Sequence, residues 1–246
     1  MSHSTQYMLL TGASRGIGHA TVKLFQERNW KVLTVSRQPF SEECKWPDAR
    51  ESHIQADLAD LDSIEQVAAE MRRRLPDGKL HALVNNAGIS PKGGNRSRLG
   101  VLESDIHTWT TVLNVNLVSN ALLARALFPE LVSAHGVIVN VTSIAGVKVH
   151  PFAGTAYAAS KAGLAALTRE MAHEFGLHGV RVNAIAPGEI DTSILSPGTK
   201  EIVEKTIPLH RLGDPREVAE TIYFLSGPAS SYINGAEIHI NGGQHV

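Results

Sequence analysis

A tyrosine and a lysine at helical spacing are the pair of side chains best suited to acid–base chemistry in this chain. Tyr157 and Lys161 lie four positions apart in a segment, 155–175, whose alanines and leucines favour a helix. Side chains four residues apart share one face of a helix. An ammonium near a phenol favours the phenolate, so we expect Lys161 to lower the pKa of Tyr157. Such a tyrosine can exchange a proton with a substrate oxygen, although a Tyr–Lys pair is also common on ordinary helix surfaces.

A serine precedes this pair at the end of an apolar run. Residues 137–141 read V-I-V-N-V, which is typical of a buried strand, and Ser143 follows them after one threonine. Open α/β sheets bind their ligands at the carboxyl ends of strands. We therefore expect the hydroxyl of Ser143 to face the same site as Tyr157.

A glycine-rich turn near the start of the chain predicts a phosphate site. An apolar strand over 7–10 runs into T-G-A-S-R-G-I-G at 11–18, and an amphipathic segment follows. Glycines allow a tight turn and close approach of the backbone, and the first N–H groups of the following helix attract anions. The spacing G-x-x-x-G-x-G differs from the common G-x-G-x-x-G, so the turn alone is a weak indication of a dinucleotide site.

The second strand indicates which dinucleotide would bind. Residues 31–36 end about 20 residues after the glycines, where such folds place an acid for a ribose hydroxyl or a base for a 2′-phosphate. Here the chain reads Ser36-Arg37, and Arg15 lies in the glycine turn. This pattern favours NADP(H). Because both arginines could also be ordinary surface residues, NAD(H) stays possible.

Strand-like and helix-like segments alternate along the chain, which predicts one α/β domain over 1–246 with a parallel sheet covered by helices on both faces. The pattern predicts one long helix over 103–132 with Asn116 in its middle, a loop over 38–51, and a mobile flap over 194–212. A helix should begin after Asp214, which is followed by proline and by Glu217 at the third position.

Charge and composition argue against several classes of partner. The net charge is −1, so nothing draws the protein generally to nucleic acid or to an anionic membrane. No apolar run approaches the ~20 residues that span a bilayer. Cys44 is the only cysteine and no secretion signal is evident, so we expect a cytoplasmic protein. The 12 histidines are scattered, which favours surface histidines over a metal site.

Taken together in this order, the motifs resemble the short-chain dehydrogenase/reductase family over essentially the whole chain, and within it the NADP-preferring 3-oxoacyl-[acyl-carrier-protein] reductases. The resemblance implies a Rossmann-type, doubly wound sheet of about seven parallel strands, in a protein that forms homodimers or homotetramers. The segments that carry it are T-G-A-S-R-G-I-G (11–18), D-L (57–58), N-N-A-G (85–88), N-V-N-L (114–117), V-T-S (141–143), Y-A-A-S-K (157–161) and P-G-E-I-D-T (187–192).

The same resemblance implies a role for each matching residue. Tyr157 is the acid/base, Lys161 lowers its pKa and holds the nicotinamide ribose, Ser143 orients the substrate carbonyl, and Asn116 holds a water of the proton relay. The implied contacts run from the pyrophosphate turn through the adenine and ribose sides to the nicotinamide loop. With the two residues that end the second strand, the cofactor set is Gly12, Ser14, Arg15, Ile17, Gly18, Ser36, Arg37, Asp57, Leu58, Asn86, Ala87, Gly88, Tyr157, Lys161, Pro187, Gly188, Ile190 and Thr192.

These residues predict reversible hydride transfer between NAD(P)(H) and a small carbonyl or alcohol substrate. Val147, Val149 and Phe152 suggest an apolar wall, which fits an acyl chain, a steroid or a cyclic ketone. A 3-oxoacyl thioester is one candidate substrate, and a sugar or polyol oxidised with NAD is another. A nucleotide-binding sensor without catalytic activity is the alternative from a different functional class.

Overall fold

The computed structural model describes residues 5–39, 50–192 and 198–246. Strands and helices alternate through most of these ranges. In chain order they are β1 (Gln6–Thr11), α1 (Gly16–Glu27), β2 (Trp30–Ser36), β3 (His53–Gln55), α2 (Ser63–Arg73), β4 (Ala82–Asn85), α3 (Ile106–Leu113), a π-helical turn (Asn114–Val118), α4 (Ser119–Ala126), α5 (Phe128–Ala134), β5 (Val137–Val141), α6 (Thr155–Gly176), β6 (Arg181–Pro187), α7 (Thr199–Thr206), α8 (Pro215–Ser226) and β7 (Glu237–Ile240).

The strands form one parallel sheet in the order β3-β2-β1-β4-β5-β6-β7. This confirms the predicted Rossmann-type α/β fold. From β1 the chain adds β2 and β3 towards one edge of the sheet, and from β4 it adds β5, β6 and β7 towards the other edge. The connections that follow β1 and β4 therefore leave the two central strands in opposite directions. A crevice opens at such a switch point, outside the carboxyl ends of the two central strands.

Helices cover both faces of the sheet because successive strand residues point to opposite sides. Leu9 packs in a layer with residues of α2, α4 and α6, of which Phe175 is one. Its neighbours Met8 and Leu10 pack on the other side, with Phe25 of α1 and Ile222 of α8. All six side chains are nearly or fully buried. The two apolar layers fix the sheet, and with it the positions at which each strand ends.

The prediction of one long helix over 103–132 was wrong. The helix begins at Ile106, widens into the π-helical turn at Asn114–Val118, and ends at Ala126. The next helix, α5, leaves at an angle of 62°. Pro129 lies in the first turn of α5 and cannot donate a backbone hydrogen bond to the preceding turn, which explains the break.

The helix predicted after Asp214 is confirmed with its cap. The Asp214 side chain accepts from Arg216 N at 2.7 Å, and the Glu217 side chain accepts from Asp214 N at 2.8 Å. The first residues of the predicted flap, and Cys44 in the predicted loop over 38–51, lie outside the described residues. Within the described ranges no single helix is long and apolar enough to cross a membrane. The bent pair formed by residues 106–126 and α5 reaches the length and apolar composition of a membrane span, and by those two properties only.

Candidate active site

At the crevice between β1 and β4 the backbone of one strand end approaches Gly12 of the other so closely that only glycine fits. A Cβ on Gly12, whose φ is +73°, would lie 2.8 Å from Cα of Ala87. The Asn86 amide donates to the carbonyls of Thr11 and Gly12 at 3.0 and 2.8 Å, and the Thr11 hydroxyl accepts from Asn86 N and Ala87 N at 3.0 Å. The two strand ends are therefore joined by hydrogen bonds, and a side chain at Gly12 would collide with the backbone of Ala87.

The glycine turn leads into the N-terminus of α1 with room for an anion. A Cβ on Gly18 would fall inside van der Waals contact of the Gly12 carbonyl oxygen, and it would lie 2.7 Å from Asn86 Nδ2. Arg15 is the N-cap residue, and its side chain makes no capping hydrogen bond. The first N–H groups of a helix have no partner within it and attract negative charge. Ser14 and Arg15 are exposed, and Ile17 is half-buried. The cradle fits a pyrophosphate.

The carboxyl ends of β2 and β3 supply the next part of the crevice. Ser36 ends β2, and Arg37 follows it as an exposed side chain. Asp57 is half-buried, and its carboxylate accepts from Ala59 N at 3.0 Å. Leu58 is 6% exposed and packs in the core. This edge therefore presents a cation next to β2 and a backbone turn next to β3.

The loop after β6 covers the other side of the crevice. Pro187 and Ile190 are buried, and a Cβ on Gly188 would lie 2.6 Å from Cβ of Asn241. A Cβ on Gly16 in the glycine turn would lie 3.1 Å from Cγ2 of Thr192. The predicted nicotinamide-side loop and the predicted pyrophosphate turn thus meet in space.

The four predicted catalytic residues converge at the carboxyl edge of the sheet. Ser143 is the N-cap of a short turn after β5, and it shares a hydrogen bond with the half-buried Tyr157 near the start of α6. Lys161 is 3% exposed, and its Nζ donates to the carbonyl of Val141 at 2.7 Å. That Nζ lies 5.8 Å from the centre of the Tyr157 ring. The arrangement can hold an oxygen atom between a serine hydroxyl and a phenol.

Asn116 joins this group from the π-helical turn. Its amide nitrogen donates to the carbonyl of Ile89 and to the hydroxyl of Ser160, both at 3.0 Å, while its oxygen accepts from Ile89 N at 2.8 Å. Both amide hydrogens are therefore in use. A Cβ on Gly88 would lie 3.3 Å from Lys161 Nζ and 3.6 Å from Asn116 Oδ1, so the loop after β4 reaches the lysine. A water near Asn116 would have to donate to its oxygen.

The electrostatics of the site differ from the prediction for the tyrosine. Burial raises the pKa of Tyr157; the hydrogen bond with Ser143 lowers it, and the negative charge of Glu189 raises it further. Burial also lowers the pKa of Lys161 from 10.5 to about 8. The expected lowering of the tyrosine pKa by the lysine was wrong for the protein alone, because desolvation of the phenolate outweighs its favourable interactions. The phenol is consequently protonated at neutral pH.

Sequence reasoning missed a hydrogen-bonded pair formed by His150 and Glu189. Nε2 of His150 lies 2.5 Å from Oε1 of Glu189, and both side chains are nearly buried. Lys92, from the loop after β4, donates to the carbonyl of Phe152. Glu189 belongs to the P-G-E-I-D-T segment, but Lys92, His150 and Phe152 are far from it in the chain and belong to none of the matching segments. Only the assembled sheet therefore brings these residues together. Val147 and Val149 of the expected apolar wall are 52% and 83% exposed.

The comparisons with known proteins agree on one family. A family model described as enoyl-(acyl carrier protein) reductase matches residues 12–245. An oxidoreductase from Brucella ovis, titled as a member of the short-chain dehydrogenase/reductase family and solved with a partially ordered NAD, is 55% identical; it covers 97% of this chain and 100% of its own, with a TM-score of 0.84. The present chain belongs to the short-chain dehydrogenase/reductase family. It is thus an NAD(P)-dependent dehydrogenase or reductase.

Two curated relatives show the range of this similarity. Protein FixR of Bradyrhizobium diazoefficiens is 55% identical over 240 residues, which are 97% of this chain and 86% of FixR. The 3-oxoacyl-[acyl-carrier-protein] reductase of Thermotoga maritima is 36% identical over an alignment of 248 positions, which covers 96% of each protein. The second relative supports the predicted similarity to 3-oxoacyl-[acyl-carrier-protein] reductases.

Proposed function

We propose that the protein interconverts a ketone and a secondary alcohol, with Tyr157 as the acid/base. The observation that carries this proposal is the meeting of Ser143, Tyr157 and Lys161 at the sheet edge that also holds the glycine cradle. A nicotinamide cofactor, when bound, supplies or accepts the hydride. The protein has to place the substrate oxygen and move one proton.

In the direction of reduction, the Ser143 hydroxyl orients the substrate carbonyl and Tyr157 donates its proton to the oxygen. The raised pKa of Tyr157 suits this step, because the phenol keeps its proton until a stronger base forms beside it. Lys161 and Asn116 both lie next to Gly88 of the loop after β4. They complete the proton relay that returns a proton to Tyr157 after each reduction. In oxidation the same groups act in reverse, with Tyr157 as the base.

Substitution of the tyrosine tests the assignment. Tyr157→Phe removes only the phenolic oxygen, so cofactor affinity should stay within about twofold while turnover falls by about 100-fold or more, the usual worth of a positioned acid/base. Tyr223→Phe is the matched control, because Tyr223 packs its ring against Phe25 in the layer around α8. Stopped-flow or steady-state reading of cofactor absorbance measures both. Turnover retained by Tyr157→Phe would disprove the role.

For the cofactor we propose NADP(H), supported by the exposed Arg15 and Arg37 at the ends of neighbouring strands and by the lack of an acid after β2. The NAD found in the Brucella ovis relative favours the alternative, NAD(H). Separate titrations with NADPH and NADH, followed by protein fluorescence, distinguish the two. Preference for NADH would reject the proposal that Arg15 and Arg37 bind a 2′-phosphate. Failure to bind either cofactor would favour a protein without catalytic activity.

For the substrate we propose a 3-oxoacyl thioester or another small ketone, supported by the similarity to the Thermotoga maritima reductase. For the assembly we propose a homodimer or homotetramer, as the family resemblance implies. A panel of ketones read by NADPH consumption tests the first point. Sedimentation or light scattering gives the mass of the assembly and tests the second.

A further inference from the structure

A carboxylate on the loop after β6 is held in place by a histidine on the loop before α6. Phe152 N donates to Nδ1 of His150 at 3.2 Å, so Nδ1 is the accepting nitrogen and the ring proton lies on Nε2. Nε2 in turn donates to Oε1 of Glu189 at 2.5 Å. The side chains of His150 and Glu189 are 12% and 13% exposed. The orientation of the carboxylate is therefore set by two hydrogen bonds in series.

The carboxylate lies at the same edge of the sheet as the tyrosine. β5 and β6 are adjacent strands, and Ser143, which contacts Tyr157, and Glu189 each follow the carboxyl end of one of them by two residues. Lys92 of the loop after β4 donates to Phe152, two residues from His150, and the charge of Glu189 acts to raise the pKa values of Tyr157 and Lys92. A group bonded to the reacting carbon of a substrate would come next to Glu189.

The described residues leave this carboxylate with capacity to accept more hydrogen bonds. Within the described ranges, His150 is the only side chain that hydrogen-bonds to Glu189, through Oε1. A carboxylate has about four acceptor positions. Among the described residues, Lys92 makes no hydrogen bond or ion pair within 4 Å to Glu189, and its Nζ donates to the carbonyl of Phe152. A partly buried carboxylate is stabilised when a bound molecule brings a donor of its own.

We propose that Glu189, positioned by His150, selects substrates that carry a hydroxyl or ammonium group next to the reacting carbon. This inference rests on the proposed ketone–alcohol chemistry and narrows it to hydroxyketones, aminoketones and the corresponding diols and amino alcohols. An acyl chain beside the carbonyl would leave the carboxylate without a donor, so this inference favours another small ketone over the 3-oxoacyl thioester as the substrate. The competing explanation is that the pair only joins the two loops, in which case it would not distinguish among substrates.

Three alcohols of nearly equal size test the proposal: 1-amino-2-propanol, 1,2-propanediol and 2-butanol. Each is titrated into the protein saturated with its preferred oxidised cofactor, with the rise in melting temperature giving the affinity and cofactor reduction giving kcat/KM. Hydrogen bonds to charged groups are among the stronger ones, so we expect the first two alcohols to bind about tenfold or more tightly than 2-butanol. Equal affinity for all three, or binding of none, would overturn the proposal.

Two variants locate the preference. Glu189→Gln keeps the size and the hydrogen bond from His150 but removes the charge, so the preference for the amino alcohol should fall below about twofold. Asp191→Asn, an exposed carboxylate of the same loop, is the matched control and should keep it. An equal effect of both variants would refute the assignment to Glu189. Should Glu189→Gln fail to fold, the comparison of the three alcohols on the wild-type protein still shows whether a hydroxyl or ammonium group beside the reacting carbon is preferred.

The two readouts separate this inference from the proposed function. Turnover of all three alcohols with no preference among them would overturn the role of Glu189 and leave the ketone–alcohol chemistry standing. A binding preference that Glu189→Gln removes, without any cofactor reduction, would support the specificity role and count against the proposed function.

Discussion

Replacing the buried Lys161 with methionine should separate stability from activity. Lys161 is 3% exposed, and burial lowers its pKa from 10.5 to about 8. A difference of that size corresponds to about 3 kcal/mol, since one pKa unit is worth about 1.4 kcal/mol. This is the cost of keeping the side chain charged in the folded protein. Methionine has a similar length and no charge, so the variant avoids that cost.

The variant also loses a hydrogen bond. Nζ of Lys161 donates to the carbonyl of Val141 at 2.7 Å, and leaving that carbonyl without a partner costs about 1–3 kcal/mol. At pH 7 the two effects nearly cancel, and Lys161→Met should be as stable as the wild type or more stable by up to about 2 kcal/mol. Turnover should nevertheless be lost, because the lysine belongs to the proposed proton path.

The pH dependence gives the sharper test. Between about pH 8 and pH 10.5 the folded protein has released the Lys161 proton while the unfolded chain still holds it, so the wild type becomes more stable as pH rises. This gain of about 3 kcal/mol is complete above pH 10.5 and absent below pH 8, and the methionine variant lacks it. Urea unfolding of both proteins across this range, without cofactor, measures the difference.

A surface lysine provides the control for this experiment. Lys205 is exposed and paired with Glu201, which raises its pKa, so any effect of Lys205→Met should be small and of opposite sign as pH rises. The relevant quantity is the free energy of unfolding of the wild type minus that of Lys161→Met. A difference that stays constant or falls between pH 8 and pH 10.5 would refute the reasoning.

Three further substitutions test the cradle, the cofactor choice and the core. Gly18→Ala places a methyl group against the Gly12 carbonyl and should weaken dinucleotide binding by about tenfold or more. Gly94→Ala is the control and should leave binding unchanged, because a Cβ there meets no atom within 4 Å. Equal affinities of the two variants in a fluorescence titration would contradict this. Arg37→Ala should weaken NADPH binding about tenfold and leave NADH unchanged, and a parallel loss for both would remove the arginine from 2′-phosphate recognition. Asn140→Leu removes the two buried hydrogen bonds of Asn140, leaving Asn85 Nδ2 without its acceptor and Thr168 with only its bond to the Leu164 carbonyl, and should cost about 2–4 kcal/mol in urea unfolding. A loss below about 1 kcal/mol would show that the network is dispensable.

The regular parts of the fold could be predicted from local sequence. Apolar runs such as 137–141 form fully buried strands, and the capping residues around Asp214 begin a helix where expected. The break in the long helix was missed even though Pro129 was visible, because the apolar periodicity continues across it. Local pattern reports which face of a segment is buried, and it says little about where the axis of the helix turns.

The sequence by itself determined the order of strands and helices, the glycine cradle and the spacing of Tyr157 and Lys161. Each of these depends on neighbours within a few residues. The tertiary structure alone decided how deeply Tyr157 and Lys161 are buried, and hence the direction in which their pKa values move. It also joined His150 to Glu189, 39 residues apart, because β5 and β6 are adjacent in the sheet and their following loops meet at one edge. Burial and such long-range contacts depend on how the layers pack, which no short stretch of sequence contains.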